Sequence, residues 1–385
     1  MKVALSTIGT FHSFDLAREL HAAGQLVAIF TGYPAFKLRG ESLPGPLIRT
    51  YPWLHAPYMA MPRREWLGRR ALLAWEYLDR VMLDRHVASK MPACDVFVGL
   101  SSSALHSGLA AQAMGARYVC DRGSSHIQEQ DELLRDEHAI WGQPYEGIDP
   151  RIIDRELREY EAADCITVPS GFNVGSFVKR GVAASKLRRL PYGVNLSRFH
   201  PVGEPAADRF DILFAGGMHL RKGVPYLLQA YRDLKHPRKS LTFAGAPSQD
   251  LIELMRARGL WPEDARVLGH VPQQQLKEIM SRSHVMVLPS IEEGLALVQA
   301  QAMACACPVI GTDHTGAQDL FEDGQQGYIV PVRQAGAIAE RLQQLADDPD
   351  LRKRLSQQAL LRVRGVGGWQ SYGEQARAIY QGLLQ

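Results

Sequence analysis

A chain of 385 residues is long enough for two domains, and its 46% hydrophobic and 22% charged content suits a globular protein with large buried cores. A formal net charge of +3, with no arginine-rich arm, paired zinc ligands or basic–aromatic alternation, argues against nucleic acid as a partner. No apolar run approaches the length that spans a bilayer, and the five cysteines (Cys94, Cys120, Cys165, Cys305, Cys307) read as reduced core thiols of a cytosolic protein.

Residues 2–6 are expected as a buried parallel strand entered without the features of a signal peptide, and they lead into a loop at Gly9 and Thr10. Phe14, Ala17, Leu20 and His21 keep helical spacing up to Gly24, and residues 26–30 supply a second strand. This βαβ unit opens a doubly wound sheet, and its loop lacks the G-x-G-x-x-G spacing of a dinucleotide site. Residues 32–62 are rich in proline and read as an irregular excursion. Residues 63–86 are predicted as one basic amphipathic helix, a solvated surface element that also suits peripheral contact with anionic lipid.

Strands over 94–99 and 117–120 flank a helix over 104–114. The second strand runs into Asp121-Arg122-Gly123-Ser124-Ser125-His126, where loops at the carboxyl ends of parallel strands line a crevice. An acidic helix from Gln128 and a strand over 165–168 follow. The Pro191–Gly193 turn is the expected domain boundary: residues 1–195 form the first domain and 196–367 the second, and a C-terminal helix, about 368–385, crosses back to the first. In the second domain, strands are expected over 210–215, 241–244, 265–268, 285–288, 308–310 and 328–330.

Two stretches carry chemistry. In the loop GGMHLRKG, Gly216 and Gly217 permit close approach of a ligand to the backbone, and Arg221 and Lys222 place two cations before a helix. In HVMVLPSIEEGLALVQAQAM, a buried strand is followed by a helix expected to begin at Glu293 and Gly294. A carboxylate there accepts several hydrogen bonds from hydroxyls. Glu292 is expected to face water. Asp348-Pro349-Asp350 reads as a helix cap, and no metal site is expected.

The pattern Ser290-x-x-Glu293-Gly294 resembles the Ser-x-x-Glu-Gly of the retaining nucleotide-sugar glycosyltransferases of family 4. Those enzymes carry a second Glu eight positions on, where this chain has Gln301. The resemblance implies a GT-B architecture, α/β, with two Rossmann-like domains facing across a cleft. It implies that Glu293 binds donor-sugar hydroxyls, that backbone N–H groups of Gly294, Leu295 and Ala296 approach the sugar and phosphates, and that Gln301 meets the ribose. Lys222, helped by Arg221, offsets the diphosphate, since Gly217 stands where the family often has Arg. His126 best matches the first-domain histidine near the reacting sugar, which gives His126, Lys222 and Glu293 as the catalytic set. Gly9, Thr10, His12 and Arg122 are the acceptor-side candidates.

The activity so implied is metal-independent, anomer-retaining hexosyl transfer from a nucleotide-diphosphate sugar to a hydroxyl acceptor, in polysaccharide, glycolipid or related glycoconjugate synthesis. The nucleotide sugar is a co-substrate and no cofactor is expected. A sugar-nucleotide epimerase of the same fold and a non-catalytic nucleotide-sugar-binding protein remain the alternatives.

Overall fold

Short runs buried on both faces, such as VALST, FDILFA and VMVL, are stable only in parallel sheets covered by helices on each side, and the protein builds two of these. The computed structural model describes residues 1–62 and 64–385. The first sheet contains β1 (Val3–Thr7), β2 (Leu26–Thr31), β3 (Ile48–Thr50), β4 (Val96–Leu100), β5 (Arg117–Asp121), β6 (Cys165–Val168) and β7 (Leu187–Arg189). Its order is β3-β2-β1-β4-β5-β6-β7, all parallel.

The second sheet contains β8 (Phe210–Ala215), β9 (Lys239–Ala244), β10 (Arg266–Val267), β11 (Val285–Leu288), β12 (Val309–Thr312) and β13 (Gly327–Val330). Its order is β10-β9-β8-β11-β12-β13, again all parallel. Strand order reverses between β1 and β4 in one sheet and between β8 and β11 in the other. These are the switch points at which doubly wound sheets open a crevice.

Three local expectations need correction. The excursion over 32–62 is not wholly irregular: β3 adds an edge strand beside β2, and His55–Ala60 is helical. The single helix expected over 63–86 is two elements, a 3₁₀ turn Arg64–Leu67 and a helix Arg69–Lys90, separated by Gly68 at φ 71; Arg63 lies outside the described residues. The later turns of that helix are core rather than surface. Val81, Leu83 and Val87 are buried, and fully buried Asp84 pairs with Arg155 and accepts the Ser107 N–H at 2.8 Å.

The third correction concerns the helix expected from Glu293, which begins only at Leu297. The N–H groups of Glu293 and Ala296 donate to the carbonyls of His314 and Thr315, so residues 293–296 are tied to the neighbouring loop as irregular chain rather than helix.

The last helix, Trp369–Gly382, buries Tyr372, Ala376 and Tyr380 against the first domain and the helix Phe11–Ala22. Arg117 Nε donates to the Leu383 carbonyl at 2.9 Å, just past the end of this helix, and holds it there. Among the described residues no helix is long and apolar enough to cross a membrane.

Candidate active site

A cleft of about 1010 Å³ lies between the two sheets, lined by loops from the carboxyl ends of β1, β4, β5, β8, β9, β10 and β11. Lys222 Nζ and a Glu293 carboxylate oxygen form an ion pair on its second-domain wall. Glu293 is held from both sides: its N–H donates to His314 O at 3.1 Å, and its carbonyl accepts from Asn173 Nδ2 of the first domain at 3.0 Å. Gly216, Gly217, Arg221, Leu295 and Ala296 line the same cleft. Gly294 faces the other domain, where a Cβ would sit 2.1 Å from the Gly123 carbonyl oxygen, so only glycine permits this approach.

Glu292, expected to face water, is fully buried and joins the two domains. One of its oxygens accepts the Ser124 hydroxyl at 2.6 Å, the Ser125 N–H at 2.9 Å and the Ser125 hydroxyl at 2.8 Å, and the other accepts Gln130 Nε2 at 3.0 Å. Arg221 completes the set with Nη2 at 2.9 Å from the carboxylate and Nε donating to the Glu292 carbonyl at 3.0 Å. Burial pushes the Glu292 carboxyl up, but Arg221 and the bonds from Ser124 and Ser125 outweigh it and hold the group at about 2. Arg221 thus spans two tasks, since its guanidinium is tied to Glu292 while its side chain borders the cleft. Spacing alone did not reveal this, because Arg221 lies 71 residues from Glu292 and the first-domain partners more than 160.

The two histidines lie in different surroundings. His126 does not reach the cleft: it caps the helix Ile127–Ile140, accepting the Gln128 N–H at 3.3 Å, and its ring packs against Tyr160 and Phe177. Burial, with Arg122 and Arg180 nearby, pushes its imidazole down to about 4, so it is neutral near pH 7. His12 lines the cleft, with Nε2 at 2.5 Å from Asp121 Oδ2 and its ring tilted against that of Tyr192, the centroids 4.4 Å apart. The Thr167 hydroxyl donates to the other Asp121 oxygen at 2.9 Å and fixes the carboxylate.

Arg122 borders the cleft but is engaged inward, on Glu156 at 3.0 Å, the Ser125 carbonyl at 3.0 Å and Gln130 Oε1 at 2.8 Å. Gly9 is buried beneath the Phe11 ring, and Thr10 lines a side pocket next to the cleft. Gln301 also lies outside the main cleft, in an adjoining pocket with Asp15, Arg18 and Trp369. Residues from the loops after β9 and β10 (Gly245, Ala246, His270 and Val271) enter the cleft wall without any sequence motif to mark them. Their one signal is position, directly after parallel strands.

Asp348 caps the helix Pro349–Val366, accepting the Leu351 N–H at 2.8 Å. Among the described residues no group of three or more His, Cys, Asp and Glu side chains is arranged to hold a metal ion.

Residues 197–362, nearly the whole second domain, match the family model described as Glycosyl transferases group 1. The chain is similar to alpha-D-kanosaminyltransferase of Streptomyces kanamyceticus, 29% identical over 330 residues that cover 80% of this chain and 81% of that protein. Its fold is similar to that of a sucrose-phosphate synthase from Thermosynechococcus elongatus, with a TM-score of 0.74 and 22% identity over 100% of this chain and 99% of that one. It is also similar to Anabaena Alr3699/HepE in complex with UDP-glucose, with a TM-score of 0.69 and 15% identity over 99% and 100% of the two chains. These likenesses assign the fold as GT-B.

Proposed function

We propose that the protein, whose residues 197–362 match the Glycosyl transferases group 1 model, moves a hexose from a nucleotide-diphosphate sugar to a hydroxyl acceptor, with retention at the anomeric carbon and without a metal. The observation that carries this reading is the Lys222–Glu293 pair on the wall of an interdomain cleft. A diphosphate entering there meets the Lys222 ammonium and the backbone beside Gly216 and Gly217, which offset its charge as it departs. Glu293, released from Lys222, accepts hydrogen bonds from the sugar hydroxyls. The donor rests on the second domain and the acceptor on the first. The departing phosphate takes the acceptor proton on the face from which it leaves. Support for a nucleotide sugar comes from the UDP-glucose held by the Anabaena protein.

The acceptor belongs to a polysaccharide, a glycolipid or a related glycoconjugate. A peripheral contact with anionic lipid through the basic stretch over residues 63–86 is supported by the exposure of Trp66 within it.

A thermal-shift panel of UDP, GDP, ADP and their common sugars, with and without chelator, tests the donor site. At a hundred times its Kd, one nucleotide is expected to add about 2.7 kcal/mol of apparent stability, unaffected by chelator. No shift with any of them would overturn the reading.

A further inference from the structure

A second pocket of about 400 Å³ opens beside the cleft, and Phe11 and Asp15 line both spaces. Its volume falls within the range of about 300–1,000 Å³ usual for small-ligand sites. The remaining wall is almost wholly polar, with Arg18, Glu41, Ser42 and Arg198 prominent. Its charges are balanced and already hydrogen-bonded: Arg18 contacts Asp15 and donates to Glu41 at 2.8 Å, and Arg198 is bonded to the neutral Gln273.

Phe11 stands on the rim between the two spaces. It is 60% exposed, and its backbone is held at φ 37, in the left-handed region that non-glycine residues rarely adopt. Ser42, which also lines this pocket, is held at φ 55, and Ser102, on the cleft wall, at φ 73. Three of the five non-glycine residues at positive φ among the described residues therefore line these two spaces. An exposed aromatic ring above paired carboxylates and guanidiniums is a poor host for a hydrocarbon chain. Asp15 and Glu41 equally disfavour a phosphate. The combination suits a neutral polyol, which stacks one C–H face on a ring while its hydroxyls both donate to carboxylates and accept from guanidiniums.

We propose that this pocket is a second acceptor subsite, which takes a neutral sugar unit next to the one that is glycosylated, with Phe11 as the platform between the two. The acceptor is then at least a disaccharide or a glycoside of one. This rests on the reading of the cleft as a glycosyl-transfer site, and the test separates the two.

The experiment is saturation-transfer NMR and titration on the full chain, using methyl α- and β-D-glucopyranoside, maltose, cellobiose, lactose and glucose 6-phosphate, with the UDP thermal shift measured on the same samples. At least one disaccharide is expected to bind about tenfold more tightly than the methyl glucosides, an advantage lost in Phe11→Ala and in Phe11→Leu, which keeps an apolar side chain but no ring. The UDP shift is expected to persist in both variants. Disaccharides binding no better than monosaccharides, no saccharide binding, an advantage that survives loss of the ring, or glucose 6-phosphate binding best would each overturn the subsite. A wild-type UDP shift alongside any of these results leaves the donor site standing. Disaccharide binding with no UDP shift supports the subsite and counts against the donor site.

Discussion

The side-chain amide of Gln130, on the first domain, donates to the carboxylate of Glu292, on the second, at 3.0 Å. The other end of that amide accepts from Arg122 at 2.8 Å, so a polar chain runs from Glu156 through Arg122 and Gln130 to Glu292 and Arg221. Every buried member has a partner, the condition under which such a network holds two bodies in one relative position.

Replacing Glu292 with Ala strips partners from Arg221, Ser124, Ser125 and Gln130 together. Breaking a buried pair costs about 3–5 kcal/mol, and the partial exposure of Arg221 points to the lower end. The urea midpoint should fall accordingly, and small-angle scattering should show a larger radius of gyration. A variant with unchanged midpoint and radius would show that Glu292 does not fasten the domains.

Acid titration should expose two groups at different pH. The Glu292 carboxyl, held at about 2 when folded, contributes stability that is complete above its ordinary value near 4.5 and is lost as the pH falls toward 2. His126 acts higher: its folded value is about 4, so the unfolded chain binds the proton first and stability drops as the pH falls from about 6.5 to 4. That slope approaches about 1.4 kcal/mol per pH unit. In His126→Gln the slope between pH 6.5 and 4 should be flatter, and in Glu292→Gln the slope between 4.5 and 2. Unchanged slopes would contradict these assignments.

Lys222→Ala and Glu293→Ala should each lower kcat at least about tenfold, equivalent to some 1.4 kcal/mol of transition-state stabilisation. Steady-state kinetics at saturating donor is the appropriate readout. Near-normal turnover in both variants would remove the pair from the reaction.

His12 and His126 can be told apart by kinetics. His12→Ala should raise KM for the acceptor while leaving KM for the donor within about twofold, and Asp121→Asn should follow it in the same direction because Asp121 orients the ring. His126→Ala should instead lower the melting temperature through loss of a cap and of ring packing, about 1–3 kcal/mol, with both KM values retained. The reverse pattern would restore His126 to the site.

Gln301→Glu adds a charge in the pocket beside the cleft, near Arg18. A change in nucleotide affinity or in preference among UDP, GDP and ADP is expected, with activity kept. Isothermal titration decides it, and unaltered binding of all three would detach Gln301 from the nucleotide.

Much of the fold was legible because parallel strands buried on both faces announce themselves as unbroken apolar runs, as at Phe210–Ala215 and Val285–Leu288. The cleft-wall position of Lys222 and Glu293 was legible for a related reason: each lies in the loop that follows such a strand. What spacing could not show were pairings across the fold. His12 and Asp121 are 109 residues apart, and nothing near either marks the other. Glu292 looks like any surface acid until the first domain closes over it. The helix expected at Glu293 starts later because Glu293 and Ala296 donate to a loop more than 15 residues downstream, a competition invisible to helical periodicity.

The closing helix has a consequence for how the protein is made. Tyr372, Ala376 and Tyr380 fill a space in the first domain, yet they are synthesised only after every strand of the second sheet. Synthesis at about 5–20 residues per second leaves the first domain waiting many seconds for its last helix, its apolar groove beside Phe11–Ala22 open meanwhile. A nascent chain lacking residues 369–385 should therefore bind holdase chaperones that the finished protein ignores. Supplying the missing helix as a separate peptide should release them.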